Sequence, residues 1–163
     1  MSAHTDGESA AFREAMREFG AGVAIVACGA GEARSGCTVT ALASLSLTPP
    51  TLLVCLSRDA LTLKRLRETG AFSINLLADR HRRLAERFAD RAARGVERFA
   101  LGDWTASGAG APMLADALAA LDCRVEEILE RHTHAIVIGA VVGVRRGEGA
   151  ALFHWRSRYQ TLE

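Results

Sequence analysis

The chain has 163 residues and a mass of 17.4 kDa, enough for one domain with a sizeable core. Hydrophobic residues make up 49%, charged residues 24%, and 20 Lys+Arg balance 19 Asp+Glu, a composition that excludes a disordered chain. A net charge of +1 argues against nucleic acid as the main partner, because phosphate neutralisation needs a concentrated basic surface. Met1 to Ala10 is polar and has no cationic stretch leading into an apolar one, so no secretory signal is expected. The longest apolar run, Ala135 to Val144, falls far short of the ~20 residues of a membrane helix. Cys28, Cys37, Cys55 and Cys123 form no CxxC pair and read as free thiols of a reducing compartment. The expectation is a soluble, cytoplasmic protein.

Residues 1–8 read as a flexible N-terminal tail and 9–163 as a single domain. Phe12, Ala15, Met16 and Phe19 recur at helical spacing and predict an amphipathic helix, which Gly20 and Gly22 end. Val23 to Cys28 is a short apolar strand, Gly29 to Gly36 a turn, and Cys37 to Leu47 completes a hairpin. Pro49 and Pro50 stop that ladder, and Leu52 to Leu56 is another buried strand. Asp59 is placed to cap a helix over Leu61 to Glu68, which Gly70 ends. Phe72 to Leu77 is a strand, and Asp79 caps a second short helix to Phe88. Asp90 to Pro112, rich in Arg, Gly and Ala without a steady period, reads as a surface excursion.

Met113 to His132 is ambiguous. Its helix propensity is high throughout, yet Leu121, Cys123 and Val125 alternate with polar residues as a half-buried strand would. His134 to Val144 is the clearest strand of the second half, followed by the Arg145 to Gly149 turn and a short strand at Leu152 to Trp155. Short strands interrupted by three short helices, without a βαβ rhythm, predict an α+β or barrel-like domain.

Four features could carry chemistry. Gly36 to Pro50 mixes hydroxyls (Thr38, Thr40, Ser44, Ser46, Thr48) with small apolar residues, which suits either a planar polar heterocycle or an edge strand facing water. Ser57-Arg58, between a strand and a helix start, joins a hydroxyl, a guanidinium and orphan N–H groups, a combination that suits phosphate; a solvated loop is the alternative. His132 and His134 would share a strand face, but no carboxylate or cysteine stands at matching spacing, so no metal site is expected. Trp155-Arg-Ser-Arg-Tyr159 sets aromatics beside cations, for a nucleotide or to close the core. No GxGxxG after a strand, GxxxxGK[ST], GxSxG or HExxH is present. The residues alone imply a site for a phosphorylated planar ligand.

The order of the segments is similar to that of the flavin reductase-like family with the FMN-binding split barrel, in particular the small reductase components of two-component flavin monooxygenases. The pieces that carry the resemblance are Phe12-Arg-Glu-Ala-Met-Arg-Glu-Phe-Gly-Ala-Gly-Val23, Gly36-Cys-Thr-Val-Thr-Ala41 and Ser44-Leu-Ser-Leu-Thr-Pro-Pro50. Further on come Phe72-Ser-Ile-Asn75, Leu84-Ala-Glu-Arg-Phe-Ala89, Leu121-Asp-Cys-Arg124, His134-Ala-Ile-Val-Ile-Gly139 and Arg158-Tyr159.

The resemblance implies a mainly β split barrel with short flanking helices, a strand over Leu118 to Ile128, and a homodimer with flavin near the subunit interface. It places Thr38, Val39, Thr40, Ala41 and Ser44 along the isoalloxazine and turns Ser57 and Arg58 to the flavin phosphate. It offers Asn75 and Arg87 as further flavin contacts, and assigns His134, Arg158 and Tyr159 to the nicotinamide nucleotide. Thr40-Ala41, Thr48 and Ala140 stand where relatives often carry Asn-Ser, Asp and Glu, which bears on flavin affinity and donor preference. The implied activity is NAD(P)H-dependent reduction of FMN or FAD, with reduced flavin passing to a partner monooxygenase and no side chain acting as a nucleophile. A non-catalytic flavin-binding redox module, and a flavin-dependent oxidoreductase acting directly on a small organic substrate, are the alternatives.

Overall fold

Ala24-Ile-Val-Ala-Cys28 is apolar at every position, and the computed structural model, which describes residues 6–93 and 95–162, buries all five. A strand that is apolar on both faces must separate two cores. Ala24, Val26 and Cys28 face one, with Leu52, Val54, Leu56, Phe72, Ile74, Cys123, Ala135 and Val137. Val23, Ile25 and Ala27 face the other, with Leu77, Leu84, Phe88, Phe99, Leu114 and Leu152.

In chain order the elements are α1 (Asp6–Arg17), β1 (Ala21–Gly22), β2 (Ala24–Cys28), β3 (Ser35–Val39), β4 (Leu42–Leu47), β5 (Pro50–Ser57), α2 (Leu61–Thr69) and β6 (Ala71–Leu76). Then come α3 (Arg82–Ala89), β7 (Trp104–Ala106), β8 (Pro112–Leu114), β9 (Ala119–Arg131), β10 (His134–Arg146), β11 (Ala151–Trp155) and β12 (Arg158–Leu162). The main sheet has seven strands in the order β3-β2-β6-β9-β10-β5-β4, every pair of neighbours antiparallel. A smaller sheet, β1-β11-β12, lies beside it.

That strand order contains its own closure. β3 and β4 occupy opposite edges of the seven-stranded sheet, yet only Thr40 and Ala41 join them. From Val39 to Leu42 the chain can reach at most about 11 Å. The sheet is therefore rolled until its edges nearly meet, and at the start of β4 the Ala41 carbonyl accepts from the Cys55 amide at 3.0 Å, one step beyond the β4–β5 ladder. The edges do not pair, so the barrel is split between β3 and β4. Close packing inside it explains Gly139, because a Cβ there would lie 2.4 Å from the ring of Phe72, which is itself fully buried.

The split revises one strand expectation: Cys37 to Leu47 is two strands on opposite edges. Met113 to His132 resolves toward the sheet, with β9 taking Ala119–Arg131 between β6 and β10. Two registers outweigh its helix propensity. Helix α1 begins at Asp6, so the last three residues read as tail are helical; residues 1–5 lie outside the described residues.

Neither expected aspartate cap forms. Ala60, after Asp59, occupies the cap position of α2, and no side chain caps the helix. Asp79 lies inside a 3-10 turn, Asp79–His81, that precedes α3, and the Ala78 amide donates instead to His81 Nδ1 at 3.0 Å. Gly70 does end α2, with a φ of 64°. The stretch from Asp90 to Pro112 is more than an excursion. Phe99 from its 3-10 segment and Trp104 from β7 pack on Phe88 with ring centroids 5.0 and 5.4 Å away, which builds the second core.

Candidate functional site

The seam is where the hydroxyl-rich segment lies. Thr40 and Ala41 are exposed at the crossing from β3 to β4, and Ser44, opposite Leu52 on β5, is exposed just beyond. Two residues along β5 from Cys55, whose amide is bonded to Ala41, about 7 Å at strand spacing, is Ser57, followed by Arg58. Ser57 stands directly opposite His134 of β10. The structure thus brings Thr40, Ala41, Ser44, Ser57, Arg58 and His134 to one stretch of the barrel wall.

Other expected members stand apart. Thr38 donates its hydroxyl to the Ala85 carbonyl of α3 at 2.6 Å, and Val39 is buried in the barrel core. Asn75 leaves no surface to a ligand: it is fully buried, donates to the Ile25 carbonyl and to Ser73 Oγ, and accepts from the Leu114 amide. Its place is at the joint between β2, β6 and β8, where it brackets the three strands, apart from the residues of the seam. Arg87, in the last turn of α3, reaches the Glu97 carbonyl at 3.4 Å.

Arg58 is held from three sides. Its amide donates to the Thr133 carbonyl at 3.0 Å, Nη1 to the His132 carbonyl at 3.1 Å, and Nη2 pairs with Glu130 at 2.9 Å. The other Glu130 oxygen takes Arg67 of α2 at 2.5 Å. The Arg67 hydrogen bond and the nearby Arg58 charge hold the Glu130 carboxyl below its usual range. His132 and Thr133 form the β9–β10 turn, with His132 at a φ of 49°, so His132 and His134 do not share a strand face as expected. His134 Nδ1 lies 2.9 Å from Thr133 Oγ1.

Arg158 and Tyr159 belong to the small sheet, across from Trp155 and His154. Tyr159 is half-buried against the second core, its ring 5.5 Å from that of His154 and 5.9 Å from the Arg82 guanidinium. Burial, with Glu86 adding to it, pushes its phenol up. Arg158 is exposed. No hydrogen bond or ring contact among the described residues joins this pair to His134.

Sequence reasoning missed Glu130 and Arg67. No spacing signals them, because only the β9–β10 turn and the packing of α2 bring them to Arg58. Burial pushes the Cys28 and Cys123 thiols up to about 12, which removes them as nucleophiles at neutral pH. A cleft of about 250 Å³ lies by Gly29, Arg34 and Trp104, and another of about 430 Å³ by Glu18 and Arg156. Neither is lined by the residues of the seam.

Comparison with known proteins bears on this arrangement. The family model described as the flavin reductase like domain matches residues 16–163. An FMN reductase (NADH) from Agrobacterium fabrum is 41% identical over 152 residues, covering 93% of this chain and 87% of the relative. The NADH:FAD oxidoreductase SgcE6 of Streptomyces globisporus C-1027, solved with NAD and FAD fragments, superposes with a TM-score of 0.86 at 28% identity, covering 98% of this chain and 96% of its own. The styrene monooxygenase flavin reductase of Pseudomonas putida S12 superposes with a TM-score of 0.81 at 30% identity, covering 92% and 96%.

Proposed function

This chain belongs to the flavin reductase-like family, and on that premise we propose that it reduces FMN, or FAD, with NADH and passes the reduced flavin to a partner oxygenase. The observation that carries the reading is the seam itself: two unpaired strand edges, joined at exposed Thr40-Ala41, beside Ser57-Arg58. Unpaired strand edges present backbone N–H and C=O groups at fixed spacing, which suits the alternating donors and acceptors of a planar heterocycle. A hydroxyl and a guanidinium two residues along the wall suit its phosphate.

Bound flavin supplies a two-electron acceptor for the hydride of the nicotinamide, and no side chain needs to form a bond to either ring. The chain's own work is to bind and to orient. Thr40, Ala41 and Ser44 hold the ring at the seam, and Ser57 with Arg58 fixes the phosphate end. His134 meets the nicotinamide donor in this reading, which its register opposite Ser57 on the adjacent strand supports.

A homodimer completes the site in this reading. Leu45 and Leu47 of β4 and Val142 and Val144 of β10 are exposed on strands that flank β5, with Leu47 85% exposed, and Phe12, Met16 and Phe19 lie open along and just after α1, with Phe19 71% exposed. Apolar surface of that extent marks an association face, and a twofold contact is the commonest way to cover it. The separation of His134 from Arg158-Tyr159 within one chain supports the same view, because one donor can meet both if a second copy brings its small sheet to the seam. The relatives named as monooxygenase reductases support an oxygenase as the recipient, and four free cysteines support a cytoplasmic setting. The test is NADH consumption with added FMN. Steady turnover that rises with FMN supports a reductase with exchangeable flavin, whereas a single equivalent of NADH consumed would make it a redox module.

A further inference from the structure

Two guanidinium groups from different elements converge on one carboxylate beside the phosphate end of the site. Glu130, next to last in β9, pairs through one oxygen with Arg58 at 2.9 Å and through the other with Arg67 at 2.5 Å. The three charges sum to +1. Without the carboxylate they would sum to +2 at the place where a phosphate is to be held.

We propose that Glu130 is a positioning residue with two opposed effects, orienting Arg58 while weakening the hold on a phosphorylated flavin so that the flavin remains exchangeable. The proposal rests on the reading of Ser57-Arg58 as the phosphate site. Arg58 has five N–H donors; one goes to the His132 carbonyl, and one more is left to the ion pair with Glu130 at 2.9 Å. Three remain, so a phosphate can join without displacing Glu130. It must then sit beside an ionised carboxylate, and like charges at that range repel. Both partners are about half exposed, Arg58 at 48% and Glu130 at 42%, so water and salt moderate the repulsion without abolishing it. A reductase that hands its flavin to another protein gains from this compromise, because a fully cationic phosphate site would slow release.

The sign of the effect is the test, since loss of a purely structural ion pair would weaken binding or leave it alone. Glu130→Gln keeps the size of the side chain and one acceptor oxygen and removes the charge. Dissociation constants of FMN and riboflavin are measured by flavin fluorescence for the wild type, Glu130→Gln and Arg58→Ala, at low and high ionic strength. The Glu130→Gln protein is expected to bind FMN about three- to tenfold more tightly at low salt, with the gain shrinking at high salt. Riboflavin, which has no phosphate, is expected to change less than twofold on this electrostatic argument.

An unchanged or weaker FMN affinity, or equal changes for the two flavins, overturns the proposal. The Arg58→Ala protein separates that failure from failure of the phosphate assignment. If it loses FMN selectively while Glu130→Gln gains nothing, only the role of Glu130 is wrong. If it treats both flavins alike, Ser57-Arg58 is not the phosphate site and both readings fall.

Discussion

Arg58→Ala removes the cation next to Ser57, which backbone and side-chain contacts hold to the β9–β10 turn. A hydrogen bond to a charged group contributes about 1.5–3 kcal/mol when protected from water. Arg58 is half exposed and already shares its charge with Glu130, so screening reduces the phosphate contact to about 1–2 kcal/mol. That corresponds to a rise of about five- to thirtyfold in the dissociation constant of FMN. The upper part of the range is favoured, because the substitution leaves the Glu130 carboxylate facing the phosphate with only Arg67 to offset it.

The fold should hardly notice. An exposed ion pair is worth about 0–1 kcal/mol, which for a chain of this size is at most about 2–4 °C in melting temperature. Equilibrium titration with FMN and riboflavin, beside a thermal melt, reads all three quantities. Equal weakening of both flavins, or a large drop in melting temperature that accompanies it, would refute the reasoning.

His134→Ala is expected to raise KM for NADH, or lower kcat/KM, with the FMN dissociation constant unchanged; steady-state kinetics against a flavin titration checks the split. Asn75→Ala strands the Leu114 amide in the core, and chemical denaturation should show a loss of about 1–3 kcal/mol while the folded protein binds FMN as before. Gly139→Ala drives a methyl into the Phe72 ring and should cost about 1–3 kcal/mol by the same measurement. Partial burial raises the Asp116 carboxyl, but the His81 ring at 3.0 Å and the Arg80 guanidinium outweigh it and hold the group below its usual range. A depressed carboxyl stabilises the fold above its unfolded pKa and stops doing so as pH falls through the folded value. Asp116→Asn should therefore lower the melting temperature at neutral pH, with the difference from wild type closing in acid.

Strand positions were legible where one local signal sufficed. Val23 to Cys28 and Leu52 to Leu56 are apolar enough to announce buried strands, His134 to Val144 is apolar enough to announce a strand, and Gly70 ends its helix as a left-handed glycine does. The break at Thr40-Ala41 was not legible, because the alternation of hydroxyls runs through it undisturbed and only barrel closure sends the two halves to opposite edges. Met113 to His132 carried two contradictory signals, and the registers with β6 and β10 decided between them. Asp90 to Pro112 hid a second core because its aromatic contacts, Phe99 and Trp104 on Phe88, have no period to detect.

The site follows the same rule. Ser57-Arg58 shows in the sequence because a strand end, a hydroxyl and a cation are adjacent there. A polar residue in a buried strand, such as Asn75, reads equally well in sequence as a ligand contact or as a bracket between strands, and only the fold shows the three hydrogen bonds that bracket β2, β6 and β8. Glu130, more than sixty residues from Arg67, could not be found without the fold.

The central claim is that this barrel holds flavin and NADH together for direct transfer. Anaerobic rapid mixing of the protein with FMN and NADH tests it, by following the visible band of oxidised flavin and the near-ultraviolet band of NADH together. The two bands are expected to fall in parallel, in equal molar amounts, at a rate proportional to protein and through repeated turnovers when FMN is in excess. NADH left unconsumed while FMN is demonstrably bound would contradict it.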